Sequence, residues 1–339
     1  MEGALQKYVS DFETIEDVIA AHGPWSAMAV KIGPETYTRA DQVDHRLRRI
    51  LRAASDSVGK PLSECRVLDL ACLEGHYAIE FALHGASVVG IELREANIEK
   101  AAFAAKALDL DNIDFYMDDV KNLSVERYGV FDIIICSGIL YHLRGEDACA
   151  LISSLRACCR GLLILDTFVA TDRRCSIEFG GRVVHGSQYT EHDPEAPEEE
   201  RLADLWASVD NDTSFWLTED SLVNLLQDAG FSLCAELLMP AHPEHSYDRR
   251  TYVAFCGQPV RVLSSDMTDA AAAPEIPQRN PNDIHPSQIR RSIAFRVGKR
   301  VLPQGIKDAI KPTLRRVGWL NTAETPEHME QRQDGRKVQ

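Results

Sequence analysis

The sequence contains no C-x-x-C pair, although it has nine cysteines. These cysteines are spread through apparent strands and helices, so we expect reduced thiols rather than a disulfide framework or a metal site. No early apolar run has the flanks of a secretion signal, and no run approaches the roughly 18 apolar residues of a membrane span. We therefore expect a cytoplasmic protein.

The chain also lacks an excess of basic residues, because its net charge is −15. This balance disfavours a broad nucleic-acid footprint, since phosphate binding is driven by lysine and arginine. A local basic groove is still compatible with it. With 339 residues, of which 45% are hydrophobic, the chain is long enough to bury a sizeable core.

A glycine-rich dinucleotide turn is missing from the stretch that otherwise resembles a nucleotide site. Residues 67–101 predict a strand (67–71), a short turn, a helix, a second strand (87–91) and then Glu92. Only Gly75 remains in the turn, so the G-x-G-x-x-G pattern that approaches a pyrophosphate is absent. Asp69, Gly75 and Glu92 instead suit S-adenosylmethionine, whose ammonium and ribose hydroxyls need acceptors.

Residues 1–62 form a predicted N-terminal helical cap. Apolar spacing indicates a helix over 4–21 that ends at Gly23-Pro24, then a short strand, then a helix over 41–54. Trp25 is either a packing anchor of this cap or a residue on the substrate side that helps to close the site.

Residues 63–257 show the alternation of strands and helices that is typical of a parallel sheet. Five such strands are followed by a helix from about Thr218 to Gly230 and by two further strands. We predict an α/β fold with a doubly wound, seven-stranded, mostly parallel sheet, which is a Rossmann-like architecture.

Two regions fall outside this predicted core. Residues 171–216 are an insertion with an acidic run that we expect to be solvated, on the side where substrate enters. Residues 258–286 have the composition of a flexible linker. Residues 287–339 form a basic amphipathic segment that favours docking on the acidic remainder of the chain, or peripheral contact with a membrane or a protein partner.

Residues 65–257 resemble the class I S-adenosylmethionine-dependent methyltransferases. The family's first motif is an acid followed by alternating glycines, and the corresponding row here is Asp69, Ala71, Leu73 and Gly75. Within the class, the chain resembles the tRNA wobble-uridine (5-methoxy and 5-oxyacetic acid) methyltransferase-like group and its small-molecule relatives. This likeness rests on the stretches VLDLACLEGHYAIE (67–80), SGILYHL (137–143) and FWLTEDSLVNLLQDAGF (215–231).

The resemblance implies cofactor-binding roles along the carboxyl ends of the strands. Asp69 and the turn from Ala71 to Gly75 would cradle the methionine end of the cofactor. Glu92 would accept the ribose hydroxyls, and Asp119, in preference to Asp118, would accept the adenine amino group. The residues implied at the cofactor are Asp69, Ala71, Cys72, Glu74, Gly75, Glu92, Asp119, Val120 and Ser137. We expect a valine at position 75 to abolish cofactor binding and to leave the sheet folded.

Candidate residues for catalysis follow the fourth predicted strand. Tyr141 and His142 lie where the cofactor and the acceptor meet in this class, and a histidine can take up a proton near neutral pH; the alternative for His142 is a packing role. Asp166 is interpreted as structural. The candidates on the substrate side are Trp25, His185, Glu191, His192 and Trp216.

The resulting hypothesis is a methyltransferase that acts at an oxygen of a small-molecule or glycan-type acceptor. The first alternative is a tRNA wobble-uridine methyltransferase; some of that group use a carboxylated cofactor, for which Arg144 is a candidate cation. Residues 211–216 lack the arginine which those enzymes carry there. A second alternative is a non-catalytic cofactor-binding scaffold.

Overall fold

The computed structural model of the protein describes residues 5–39, 44–197, 199, 201, 204, 206–239 and 248–257. The predicted linker and the basic C-terminal segment lie outside these described residues. No helix among the described residues is long and apolar enough to span a membrane.

The core of the fold is a seven-stranded sheet, as predicted. Its strands are β1 (Arg66–Leu70), β2 (Ser87–Glu92), β3 (Ile113–Met117), β4 (Phe131–Ser137), β5 (Cys159–Phe168), β9 (Leu233–Glu236) and β10 (Arg249–Phe255). Their order is β3-β2-β1-β4-β5-β10-β9. The first five strands pair in parallel, and β10 runs antiparallel between β5 and β9.

Helices cover both faces of this sheet. They are α1 (Ile15–His22), α2 (His45–Ser57), α3 (His76–Leu83), α4 (Glu95–Ala107), α5 (Val125–Tyr128), α6 (Gly145–Cys158) and α7 (Glu219–Ala229). Successive strand residues point to opposite faces, so Leu68 and Ile134 join the core under α6 and α7. Val67 and Ile133 join the core under α2, α3 and α4. Burial on both faces explains the nearly continuous apolar runs of these strands.

The N-terminal cap differs from its prediction in residues 5–14. Helix α1 begins only after Thr14, whose side chain accepts from the Asp17 N–H, and it ends at Gly23 as expected. The described residues before Thr14 are not helical; the Tyr8 N–H donates to the Phe115 carbonyl on strand β3. Strand β3 is an edge of the sheet, and its open backbone groups compete with helix formation. The short strand predicted next is an isolated bridge between Lys31 and Tyr37.

The insertion at 171–216 contains a second sheet, which the sequence analysis did not predict. Its three antiparallel strands are β6 (Cys175–Phe179), β7 (Arg182–Thr190) and β8 (Thr213–Leu217). The Phe215 N–H donates to the Leu143 carbonyl, which joins this sheet to the turn after β4. The insertion is therefore packed against the edge of the main sheet where the candidate site lies, and it is not only a solvated surface.

Candidate active site

The predicted cofactor residues meet along the carboxyl edge of the main sheet. Asp69 is in register with Gly90 on β2 and with Ile135 on β4, so the residues that end these strands are neighbours. Glu92 ends β2, Asp119 follows β3, and Ser137 ends β4. Because parallel strands point the same way, one edge of the sheet presents all of these side chains.

The turn after β1 keeps a glycine-like backbone without the glycines. Ala71 and Leu73 have positive φ angles of 56° and 49°, and Gly75 has a φ of 80°. For a residue with a side chain, this left-handed conformation costs about 1–2 kcal/mol. The middle of the turn is tied to strand β2, because the Cys72 N–H donates to the Ile91 carbonyl and the Leu73 N–H donates to Glu92 Oε2. Strain of this kind is typical of functional sites.

Asp69 and Cys72 lie under this turn. Asp69 is 2% exposed, and its Oδ2 accepts from the Ala78 N–H at 2.9 Å, in the first turn of α3. Burial raises the pKa of the Asp69 carboxyl to about 7, while the Ala78 hydrogen bond acts in the opposite direction. Burial also raises the pKa of the Cys72 thiol. Both residues therefore support the turn from inside the protein.

Glu92 is buried and joins the turn to the start of α4. Its Oε2 accepts from the Leu73 N–H at 3.0 Å, and its Oε1 accepts from the Arg94 N–H at 2.9 Å and from Asn97 Nδ2 at 3.5 Å. Burial raises the pKa of Glu92 against these hydrogen bonds. A carboxylate can accept about four hydrogen bonds. Glu92 therefore retains acceptor capacity for a ribose hydroxyl.

The two aspartates after β3 have different environments. Asp118 accepts from Asn122, Arg127, Tyr128 and the Asp119 N–H. Burial alone would raise the pKa of Asp118, but these donors hold it below its usual range. Asp119 is partly exposed and caps the short 3₁₀ turn that begins at the buried Val120. The geometry therefore favours Asp119 over Asp118 for the adenine.

The role predicted for Glu74 is revised. Its carboxylate accepts from the Ser26 N–H, the Ser26 hydroxyl, the Ala27 N–H and Lys100 Nζ. With four protein donors the carboxylate has no acceptor capacity left for a cofactor. Glu74 instead holds the N-terminal cap against the turn.

Trp25 makes the contacts expected of a packing anchor for the N-terminal cap. It is 3% exposed and forms a small core cluster with Val18 and Phe103. Lys100 Nζ lies 5.9 Å from its ring centroid. These contacts fix the cap against α4, and the role of Trp25 on the substrate side stays a prediction.

His142 and Glu191 are brought together from positions 49 residues apart. His142 Nδ1 lies 3.0 Å from Glu191 Oε2, on the 3₁₀ turn Leu140–His142 that follows β4. Glu191 also accepts from the Ser208 N–H at 3.0 Å and from the Ser214 hydroxyl at 2.6 Å. Burial alone would raise the pKa of Glu191, but the bonds from His142, Ser214 and Ser208 hold it below its usual range. Glu191 is therefore ionised, and both of its carboxylate oxygens are hydrogen-bonded.

Aromatic rings surround this pair on one side. The Tyr141 ring centroid is 4.2 Å from that of His142 and 4.7 Å from that of Phe168. Trp216 is stacked between Phe168, at 4.9 Å, and Tyr189, at 4.8 Å. Burial raises the pKa of Tyr141, so its phenol stays protonated at neutral pH. His142 is therefore the better base of the two predicted catalytic residues.

The two other histidines of the insertion have structural contacts. His192 is buried and its Nε2 donates to the Ser208 carbonyl. The backbone of His185 contacts Ser221 and Thr218 at the start of α7. No hydrogen bond from either residue to His142 occurs within the described part of the chain, and their roles toward substrate stay predictions.

The part of the insertion that follows Glu191 crosses toward the ends of β2 and β3. The Arg94 guanidinium donates to the carbonyls of Arg201, Asp204 and Ala207. Lys121 forms ion pairs with Asp119 and with Asp210. We call residues 191–212 the bridging segment, because it connects the predicted adenosine end of the site with His142.

Arg94 and Lys121 at this edge were missed by the sequence analysis, which did name Asp166 and Arg144. Asp166, at the end of β5, is fully buried and forms ion pairs with Arg46 of α2 and Arg249 of β10, which agrees with a structural role. In the sequence, Arg94 follows Glu92 and Lys121 follows Asp119 by two residues, and this spacing alone is only a weak signal that they belong to the site. The Arg144 side chain lies beside a separate cavity of about 390 Å³ lined by Gly145 and Phe215.

The site fits S-adenosylmethionine in the chemistry of its donors and acceptors. Glu92 and Asp119 would supply acceptors for ribose hydroxyls and an adenine amino group, and the backbone of the left-handed turn contacts Glu92 through the Leu73 N–H. Glu92 and Asp119 are therefore the residues that would hold S-adenosylmethionine. Glu74 and Trp25 contribute by fixing the N-terminal cap beside the turn.

Comparison with known proteins agrees with this site. A family model described as "Methyltransferase domain" matches residues 38–236, which is more than half of the chain. The O-antigen chain terminator bifunctional methyltransferase/kinase WbdD of Escherichia coli is 27% identical over 144 residues, covering 41% of this chain and 18% of WbdD. A ubiquinone biosynthesis O-methyltransferase of Acinetobacter baylyi is 33% identical over 78 residues, covering 23% of this chain and 33% of that enzyme.

A solved structure supports the fold over a longer range. The N-terminal domain of EvdMO1, crystallised in the presence of S-adenosylhomocysteine and D-fucose, matches with a TM-score of 0.55 at 23% identity. The match covers 72% of this chain and 95% of that domain. The chain therefore belongs to the methyltransferase-domain family.

Proposed function

We propose that this enzyme methylates a hydroxyl oxygen of a small-molecule or glycan-type acceptor. The observation that carries the proposal is the His142–Glu191 pair at the end of β4. A hydroxyl group is a weak nucleophile until its proton is removed, so its methylation benefits from a positioned base. When bound, S-adenosylmethionine supplies an electrophilic methyl group.

The pair determines which nitrogen of His142 acts. Glu191 is ionised, so the Nδ1 that faces it carries the proton and donates it in a hydrogen bond. The lone pair is then on Nε2, which takes the proton of the acceptor hydroxyl. Glu191 acts as a positioning residue, because it holds the ring orientation and stabilises the imidazolium that forms.

The aromatic side of the site supports a small acceptor. Tyr141, Phe168 and Trp216 form an apolar wall beside His142, and binding pockets for small molecules combine such walls with a few polar groups. The names of similar proteins also support a small-molecule or glycan-type acceptor. One relative is an O-antigen chain terminator, another is an O-methyltransferase of ubiquinone biosynthesis, and a solved neighbour was crystallised in the presence of D-fucose. The net charge of −15 disfavours the tRNA alternative.

Transfer of labelled methyl groups to a panel of acceptors tests the proposal. The panel contains free sugars, sugar nucleotides, phenols, amines and bulk tRNA, and the site of methylation is identified by mass spectrometry. We expect methylation at oxygen of a sugar or phenol, and a loss in kcat of about 10²–10⁴-fold for His142→Gln. Glu191→Gln should lose less, since an amide oxygen can still accept from Nδ1.

The matched control is His84→Gln, because His84 is half exposed and lies at the C-terminal end of α3. Its kcat should equal that of the wild type. Methylation of tRNA alone, transfer only to nitrogen, or a normal kcat for His142→Gln would contradict the proposal.

A further inference from the structure

Three side chains beside the strained turn have buried polar atoms that lack hydrogen-bond partners among the described residues. These atoms are Asp44 Oδ2, both ring nitrogens of His76 and the Tyr77 hydroxyl. His76 and Tyr77 are 6% and 4% exposed, and their ring centroids are 4.3 Å apart. Buried polar groups are nearly always paired in native proteins, so a cluster of unpaired ones needs an explanation.

The cluster lies at the junction of the N-terminal cap and the cofactor turn. His76 and Tyr77 are the first two residues of α3, directly after Gly75. Asp44 caps helix α2 with its other oxygen, Oδ1, which accepts from the Leu47 N–H at 2.9 Å. Its Oδ2 is therefore not needed for the cap. The charges of Asp44, Arg46 and Asp166 act on Tyr77, whose pKa burial raises, and the Ser137 hydroxyl lies beside its phenol. The Tyr77 hydroxyl thus faces the carboxyl ends of β4 and β5.

The cluster offers both acceptors and donors. Burial lowers the pKa of His76 to about 4, so the ring is neutral at physiological pH and has one N–H and one lone pair. Asp44 Oδ2 is an acceptor, and the Tyr77 hydroxyl is a donor. An α-amino acid zwitterion requires this combination, because its ammonium group donates and its carboxylate accepts. The N-terminal N–H groups of α3 add to the attraction for a carboxylate.

We propose that Asp44, His76 and Tyr77 bind the amino-acid end of the cofactor. The α-ammonium group lies at Asp44, and the α-carboxylate lies at the Tyr77 hydroxyl and the His76 N–H. The N-terminal cap then completes the cofactor site and does not merely pack on the domain. This inference rests on the cofactor of the proposed function and is independent of the acceptor.

Truncation of the ligand provides the test. Calorimetry on the full chain compares S-adenosylhomocysteine with 5′-methylthioadenosine, which has the same nucleoside but no amino-acid end. The variants are Asp44→Asn, which preserves the helix cap, and Tyr77→Phe, which removes only the hydroxyl. We expect the Kd for S-adenosylhomocysteine to rise at least tenfold in each variant and the Kd for methylthioadenosine to stay within twofold.

Thermal unfolding without ligand separates binding from folding. Tyr77→Phe removes an unpaired buried hydroxyl, so its melting temperature should equal or exceed that of the wild type. The matched control is Tyr252→Phe. Tyr252 lies on β10, and its hydroxyl donates to Glu219 at 2.8 Å. This control should lower the melting temperature and leave both Kd values unchanged.

Two results would overturn the inference: an unchanged Kd for S-adenosylhomocysteine in both variants, or an equal rise for both ligands. The second result would show that the substitutions disturb the whole site, as expected if the polar atoms only line a buried water cluster. Failure of the proposed function has a different signature, because the enzyme would then bind S-adenosylhomocysteine as expected without methylating any hydroxyl acceptor.

Discussion

Ala71 and Leu73 show that a glycine pattern expresses a backbone requirement and not a requirement for glycine itself. Both residues adopt a left-handed conformation, which a glycine would adopt without strain. The surrounding bonds to Ile91 and Glu92 stabilise that conformation in spite of the side chains. Side chains at these two positions therefore raise the free-energy cost of the turn relative to glycine, and the turn keeps its left-handed shape.

Gly75 is required for a reason that differs from the expected one. A Cβ atom at this position would lie 2.7 Å from the Ala101 Cβ and 3.2 Å from the Phe115 ring. These are contacts between α3, α4 and β3 inside the core. The expectation that a valine here leaves the sheet folded stays a prediction, and these contacts add the expectation that the core loses stability.

We predict that Gly75→Ala lowers the free energy of unfolding by about 3 kcal/mol or more, because left-handed strain and overpacking add. The control is Gly59→Ala, which has the same sign of φ, 76°, but no neighbour within 4 Å of the added Cβ. That variant should lose only about 1 kcal/mol. Urea denaturation measures both values, and equal losses would show that the steric contact is unimportant.

At the scale of elements, the bridging segment (191–212) is attached at both ends of the site. Arg94 and Lys121 hold it near the strands that carry Glu92 and Asp119. Glu191 and Asn211 hold it at His142, since Asn211 Nδ2 donates to the His142 carbonyl at 3.1 Å. The bridging segment thus connects the position of His142, the proposed base, to the predicted adenosine end of the site.

We expect Arg94→Ala to loosen this segment, because one guanidinium serves three backbone carbonyls there. Trypsin should then cleave after Arg201 at least tenfold faster than in the wild type, and mass spectrometry of the fragments measures the rate. Arg174→Ala is the control, since Arg174 pairs with Asp172 on the surface of the insertion. An unchanged rate of cleavage in Arg94→Ala would refute the attachment.

At the scale of the whole molecule, buried polar contacts join the N-terminal cap to the sheet. Arg46 of α2 forms an ion pair with Asp166 of β5, and Glu74 binds the backbone of Ser26 and Ala27. Asp166 also accepts from Thr251 and Arg249 of β10. One buried carboxylate therefore connects three parts of the chain.

Removal of one partner from such a pair leaves a buried charge with less compensation. We predict that Arg46→Met lowers the free energy of unfolding by roughly 3 kcal/mol. The matched control on the same helix is Arg52→Met, whose pair with Asp56 is exposed and should contribute less than about 0.5 kcal/mol. Chemical denaturation measures the free energy of unfolding of both variants. Similarly small decreases in the two variants would mean that the cap is held by its apolar contacts alone.

Local patterns were enough to predict the seven-stranded sheet and the places of Asp69, Glu92 and Asp119. A strand buried on both faces has to be apolar, and the residue that ends it has to lie at the edge of the sheet, so both features are visible in short stretches. Local patterns failed for residues 5–14, where the open edge of β3 outweighs helical spacing. They also failed for the small sheet of the insertion, in which strands β6 and β7 lie mostly at half-buried or exposed positions.

Tertiary structure alone decided the partners of the polar side chains. The distance between His142 and Glu191, the use of Glu74 by Ser26 and Lys100, and the cluster of Asp44 with His76 and Tyr77 join residues that are far apart in the chain. A hydrogen bond needs atoms within about 3 Å, and no sequence spacing encodes that distance across a fold. The family and the cofactor edge follow from repeating local geometry, whereas the chemistry at each end of the cofactor depends on contacts that exist only after the chain has folded.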